Sequence, residues 1–297
     1  MYIEYPFQTA YLNLESAGNV HYIDEGSGNE TLVFIHGLAN YALGWQKNIE
    51  VLRANFRCVA IDLPGNGLSE QGDFPYGIQY FADVVVRFIQ KLKLNNVVLI
   101  GHSMGGQIAI RVLLNQPTIA KALVLCAPAG FEVFTNWEAA MYENSISILD
   151  YFSTEQNSLA KSIRSSFYHY TNQADTMIEN LTHIMDARSI NGYRKMLNAC
   201  IHGMLTETVH DSLSHIKVPT CVVFGDRDAL IPTRALHPTS TRAIAEWGTA
   251  QIPNAELHIL PQCGHFVQWE KSKEVNSLIQ DFLARYLSLS VVSDMKH

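Results

Sequence analysis

Short apolar runs alternate with helical stripes through most of this chain. "TLVFIHG" (31–37), "FRCVAIDLPG" (56–65), "NVVLIG" (96–101) and "KALVLCAPAG" (121–130) are rich in apolar residues and end in glycine. Such runs predict strands buried on both faces. "VPTCVVFGD" (218–226) and "AELHILPQCGH" (255–265) repeat the pattern near the C-terminus. Between them, apolar residues recur at helical spacing in 45–52, 78–94, 105–117 and 273–287, which predicts amphipathic helices. At the start, "AYLNLE" and "VHYIDEG" alternate with period two and predict a hairpin or meander.

Strands alternating with helices predict an α/β fold, a mostly parallel eight-stranded sheet flanked by helices. The alternation stops near Phe131 and resumes after 215, with helix-like segments and no convincing strand between. The expected organisation is therefore a first part of the core at 1–130, a helical insertion at 131–215 after the sixth main strand, and the rest of the core at 216–297.

Composition narrows the function. The 297 residues are 47% apolar and 16% charged, an ordinary globular balance. A net charge of −7 without a basic cluster argues against nucleic acid as a partner. No apolar run is long enough to span a membrane, and the first twenty residues do not read as a signal peptide. The five cysteines (Cys58, Cys126, Cys200, Cys221, Cys263) lack paired spacing, so reduced buried thiols in a cytoplasmic protein are expected.

One polar residue interrupts the pattern where every neighbour is small. Gly101-His102-Ser103-Met104-Gly105 fits G-x-S-x-G between a strand and a helix. A tight turn there exposes the Ser103 hydroxyl at the carboxyl edge of the sheet, beside a helix N-terminus. A serine hydroxyl needs a base, and the base needs an acid to fix its tautomer. Of twelve histidines, His265 follows the last strand and so reaches the same edge. Asp226 and Asp228, in "VVFGDRDALIP", both follow a strand, and spacing leaves both open as the acid. Two amides are needed for an oxyanion hole: Met104, after the serine, and Leu38, in the turn "FIHGLAN". His202, His210, Asp211 and His215 match no standard metal-ligand spacing, and no metal or organic cofactor is expected.

With His36-Gly37, "DLPGNGLS" (62–69), "GHSMGG" (101–106), "GDRDALIP" (225–232) and "CGHFVQWE" (263–270) in this order, the chain resembles the α/β-hydrolase superfamily over nearly its whole length. The resemblance implies Ser103 as nucleophile, His265 as base and a helical cap. Gly225, Asp228 and Pro232 match the family's G-x-x-D-x-x-x-P, so it prefers Asp228 as acid. Asp228 and His265 are 37 positions apart, longer than is usual, and an extra segment within 233–251 is expected at the site's rim.

A serine nucleophile separates the chain from epoxide hydrolases and haloalkane dehalogenases. "GHFVQWE" looks like the histidine segment of meta-cleavage C–C hydrolases. However, His102 stands where they usually have Asn, Phe266 where they often have Trp, and their glycine-proline-glycine loop is missing. The expected activity is therefore hydrolysis of a small-molecule carboxylic ester, with C–C or lactone hydrolysis, or receptor-like ligand binding, as alternatives. Cofactor-free haloperoxidase-like or perhydrolase chemistry is a further possible activity of such a site. Aromatics and methionines of 131–215, from Phe131, Phe134, Trp137, Met141 and Tyr142 through Tyr151, Phe152, Phe167 and Tyr168 to Met196 and Met204, are expected mostly to pack the cap, with some facing the cleft. Arg188 and Arg194 are candidates for a carboxylate contact.

Overall fold

Strands form where β-branched and other apolar residues run together, and in the computed structural model they build one eight-stranded sheet. The structure describes residues 3–152, 157–186 and 190–294; of side chains, those of 146–159, 162, 185–190 and 287–294 are also left aside. The strands are β1 (Thr9–Leu14), β2 (Gly18–Glu25), β3 (Thr31–Ile35), β4 (Arg57–Ile61), β5 (Val97–His102), β6 (Ala122–Cys126), β7 (Thr220–Gly225) and β8 (Ala255–Leu260). Their order is β1-β2-β4-β3-β5-β6-β7-β8. The hairpin expected from the period-two segments is present, and β2 also runs antiparallel to β4; all other pairings are parallel.

Because successive side chains point to opposite faces, each central strand supplies two cores. Val33, Ile35, Leu99, Leu123 and Phe224 face one, against helices α2 (Ile78–Lys91) and α3 (Met104–Asn115). Leu32, Phe34, Val98, Val124 and Val223 face the other, against α1 (Gln46–Leu52) and the long C-terminal helix. The stripe on α2 shows why its pattern was legible: Ile78, Phe81, Val85, Phe88 and Ile89 are buried, each contributing roughly 1.5–3 kcal/mol. All five cysteines are free and buried, and burial pushes the Cys58 and Cys221 thiols up to about 12.

"DLPGNGLS" closes the β4 end as a polar knot. Buried Asp62 accepts from the Ala42 and Leu68 amides, His21 Nδ1 and the Tyr5 hydroxyl. Burial works against its charge, but these donors outweigh it and hold the carboxyl below its usual range.

Between β6 and β7 the described residues contain helices and loops: α4 (Asn136–Phe152), α5 (Asn157–Ser165), α6 (Asp175–Asp186) and α7 (Ile190–Thr206). Ala139 of α4 packs with Ile201 and Leu205 of α7 over Leu38, next to the carboxyl edge of the sheet. The longer link from Asp228 to His265 holds a loop, then α8 (Thr241–Ala250) and β8. Much of the expected extra segment is therefore α8, capped by Ser240, whose side chain accepts from the Ala243 amide. After β8 come a one-turn α9 (Val267–Glu270), absent from the sequence reading, and α10 (Ser272–Asp294). No helix among the described residues is long and apolar enough to cross a membrane.

Candidate active site

Ser103 sits between β5 and α3 with φ 53° and ψ −120°, in the left-handed half of backbone space that costs a side-chain-bearing residue about 1–3 kcal/mol. Main-chain hydrogen bonds hold it there. Its amide donates to Cys126 O at 3.0 Å, and its carbonyl accepts from Gly106 at 2.9 Å, Ala129 at 3.0 Å and Gln107 at 3.3 Å. Small neighbours make the turn possible. A Cβ on Gly101 would lie 2.3 Å from Gly105 O, and one on Gly105 would lie 2.2 Å from Ile35 O.

Gly105→Ala must therefore push α3 away from β3. A loss of about 1–3 kcal/mol is expected, several degrees of melting temperature, together with most of the activity. Calorimetry on the purified variant checks this; a melting temperature within one degree of the parent's would contradict it.

His265 and Asp228 meet at the same edge. His265 Nδ1 lies 2.8 Å from Asp228 Oδ2, with both side chains buried. The other oxygen, Oδ1, accepts from the Leu230 amide at 2.8 Å and the Ile231 amide at 3.0 Å. These donors orient the carboxylate, and its Oδ2 then accepts the hydrogen bond from Nδ1–H, leaving the Nε2 lone pair available. Asp226 has a different environment. It is partly exposed, near Arg227, and its nearest donor is the Cys263 amide at 3.5 Å. Of the two aspartates left open by spacing, Asp228 is the one beside His265.

The histidine's loop is tied from two sides. The His265 amide donates to Ser166 O at 2.9 Å. Glu270 accepts from the Gly264, Tyr168 and His169 amides, each at 3.0 Å. Burial raises the Glu270 carboxyl above its usual range, and these amides oppose the rise.

Two further histidines surround Ser103. His36 Nε2 accepts from the Leu63 amide at 3.1 Å, so its Nδ1 carries the proton and donates to Gly37 O at 2.8 Å. This pins the turn that carries Leu38. His102 lines the same cavity. Its Nε2 donates to His265 O at 3.0 Å, while Nδ1 is buried with no hydrogen-bond partner among the described residues. Burial and the neighbouring His265 hold it neutral, well below the usual imidazole value.

Gly37 packs tightly enough that a Cβ there would lie 3.1 Å from Ser103 Cβ, which brings the next residue, Leu38, beside the serine. Among the described residues, neither the Leu38 nor the Met104 amide donates to a main-chain carbonyl.

Ser103, His265, His102 and Leu38 all line one cavity of about 230 Å³. Its wall is mainly apolar, with Phe134, Ile201, Leu205, Leu230 and Ile231 prominent. Thr233, from the start of the expected extra segment, is at the wall too. Of the aromatics and methionines in 131–215, Phe134, Tyr142 and Met204 line the cavity. Phe131 and Met196 are buried, and Phe167 stacks on Phe266 at 4.6 Å. Trp137, Met141 and Tyr168 are exposed, and the Tyr151 and Phe152 side chains lie outside the described residues. Arg194 is exposed and away from the wall, and Arg188 lies outside the described residues. Among the described residues no lysine or arginine lines the cavity, but one carboxylate, Glu132, does. The sequence reading had not singled it out.

His202 pairs with Glu143 and His210 with Asp211. The donor atoms that gather within 4.8 Å elsewhere are those of Cys221, Glu256 and His258. None of the three lines the cavity, and both oxygens of Glu256 are taken by Arg285 at 2.6 and 2.7 Å.

The sequence is 28% identical to the 2-hydroxy-6-oxononadienedioate/2-hydroxy-6-oxononatrienedioate hydrolase of Burkholderia vietnamiensis, over 93% of this chain and 95% of the relative's length. The structure is similar to a probable hydrolytic enzyme from Pseudomonas aeruginosa, with a TM-score of 0.79, 21% identity, and 94% and 95% of the two chains covered. It is also similar to an esterase from Exiguobacterium antarcticum, with a TM-score of 0.77, 20% identity, and 92% and 98% covered. The family model described as alpha/beta hydrolase fold matches residues 30–272. With the eight-stranded sheet and the serine turn already in view, that match closes the question of kinship: this chain is a member of the α/β-hydrolase superfamily.

Proposed function

We propose that the chain is a serine hydrolase that cleaves carboxylic esters of small to medium, largely apolar substrates. The observation that carries this reading is the buried Asp228–His265 pair at 2.8 Å, opening into the same cavity as Ser103. In the proposed cycle His265 Nε2 takes the Ser103 proton as Oγ attacks the ester carbonyl. The Leu38 and Met104 amides hold the oxyanion, where each donor contributes about 3–4 kcal/mol to the transition state. The tetrahedral species collapses, His265 protonates the leaving alcohol, and Ser103 carries the acyl group. Water, deprotonated by the same nitrogen, attacks the acyl-enzyme; collapse frees the acid and returns the proton to Ser103. Asp228 stays ionised and stabilises the imidazolium at each step. The helices between β6 and β7 act as a cap that limits the size of the acyl group.

Hydrolysis of a C–C bond by the same three residues is a second reading, favoured by the sequence relative. That relative's named substrates are dicarboxylates. The cavity here offers no lysine or arginine among its described residues and places a carboxylate in the wall. Burying a second anion there without a cation would be costly, which supports the ester reading.

Turnover of p-nitrophenyl esters from acetate to decanoate tests the proposal. An optimum at short to medium acyl length, falling about tenfold or more by decanoate, is expected from a cavity of about 230 Å³. Negligible turnover across the series, with faster cleavage of a vinylogous 1,5-diketone acid, would replace it with C–C hydrolysis. Slow turnover with tight retention of a ligand would point to a receptor.

A further inference from the structure

Glu132 is a buried acid in a predominantly apolar cavity, and the cycle above does not use it. Its side chain is 7% exposed. Donors crowd one of its oxygens: Oε1 receives the Thr233 amide at 2.7 Å and His237 Nδ1 at 2.6 Å. The other, Oε2, has a single long contact among the described residues, the Thr233 hydroxyl at 3.5 Å. A carboxylate oxygen accommodates about two donors, so Oε2 is under-supplied. Leaving it so in a desolvated place is unfavourable unless something enters the cavity to satisfy it.

The arrangement around it is built rather than incidental. His237 is held between two acids, with Nε2 3.4 Å from Glu138 Oε1, and its ring lies 5.0 Å from that of Phe134. Glu132 also borders a second cleft, shared with His237 and Trp247, so it stands in the partition between that cleft and the catalytic cavity.

We propose that Glu132 Oε2 is the specificity-determining acceptor of this cavity, and that it selects esters whose apolar chain ends in a hydrogen-bond donor, a hydroxyl or a protonated amine. The inference deepens the ester-hydrolase reading and rests on it. An apolar wall takes the chain, Ser103 takes the carbonyl, and Glu132 takes the donor. The same acid rejects chains that end in a carboxylate, because two anions would share one dry site. Burial raises the Glu132 carboxyl above its usual range, opposed first by His237 and then by Thr233.

The test compares four p-nitrophenyl esters, hexanoate, 6-hydroxyhexanoate, 6-ammoniohexanoate and hydrogen adipate, on wild type, Glu132→Gln and Glu132→Leu. Each variant is read as ratios of kcat/KM to its own hexanoate value, which cancels any difference in folded fraction. In the wild type the donor-bearing esters should exceed hexanoate and the adipate should fall at least about tenfold below it, the scale of one hydrogen bond to a charged group. Glu132→Gln should erase the ammonium preference and relieve the adipate penalty, while retaining part of the hydroxyl preference through its amide oxygen. Glu132→Leu should lose both preferences. A hydroxyl preference without an ammonium one would identify the ligand as neutral; the reverse would identify a cation.

Wild-type ratios near one, or ratios unchanged in Glu132→Gln, overturn the role of Glu132 while leaving ester hydrolysis intact. Absence of turnover for all four esters refutes ester hydrolysis instead. The same tails on p-nitrophenyl phosphonates, read as the rate of Ser103 labelling, then decide for or against Glu132.

Discussion

Ser103→Ala should abolish ester turnover while leaving the fold in place, with kcat reduced by about 10⁴-fold or more. Removing Oγ deletes the atom that forms the acyl bond in the proposed cycle. His102 also lines the cavity, but its Nε2 donates to His265 O, and its Nδ1 is enclosed beside Gly37. Alanine keeps the Cβ, so the residue at φ 53° is no more strained than before. The main-chain bonds to Cys126, Gly106 and Ala129 are also unaffected. Melting temperature should accordingly change little, and a fluorophosphonate probe should no longer label the protein. Turnover within tenfold of wild type, or labelling at another residue, would remove Ser103 from the mechanism.

This prediction was available from sequence because the relevant signals are local. The strand before Ser103, the glycines around it and the helix after it lie within eighteen residues, 97–114, and each excludes the alternatives at its own position. The central strands were legible for a related reason. Buried on both faces, they show unbroken apolar runs that no surface segment would tolerate. Short or context-dependent elements were not. The one turn of α9 is too brief to show a period, and α8 carries a small-residue stripe that resembles a loop.

Within the site, legibility followed sequence distance. Ser103 and His265 announce themselves by their position after a strand. The choice between Asp226 and Asp228 depends on which carboxylate the Leu230 and Ile231 amides turn toward the histidine, a matter of loop conformation two residues away. Glu132 was missed altogether. Its partners Thr233 and His237 lie 101 and 105 positions further on, and only the packing of the loop after β7 against the start of the helical insertion brings them together. A single acid in "PAGFEVF" was the only trace, and one charged residue in an apolar stretch usually marks a solvated edge.

Asp228→Asn should lower kcat by about 10³–10⁴-fold, whereas Asp226→Asn should stay within about threefold of wild type. The amide is isosteric, so the argument turns on protons. Oδ1 of Asp228 faces two donors, the Leu230 amide at 2.8 Å and the Ile231 amide at 3.0 Å. An asparagine must present its carbonyl oxygen to that pair, because its NH₂ group would meet two N–H donors head on. The NH₂ then occupies the place of Oδ2, 2.8 Å from His265 Nδ1, and needs an acceptor there. His265 can satisfy it only by carrying its proton on Nε2, the nitrogen that receives the Ser103 proton in the proposed cycle. The variant is thus folded, fills the same volume and holds its base in the wrong tautomer. Asp226 has no such link, since its nearest donor is the Cys263 amide at 3.5 Å and its side chain is partly exposed. Measuring kcat for both variants on one short-chain ester, with melting curves alongside, separates the two. A large loss in Asp226→Asn with near-normal turnover in Asp228→Asn would reassign the acid, and with it the proton path from Ser103.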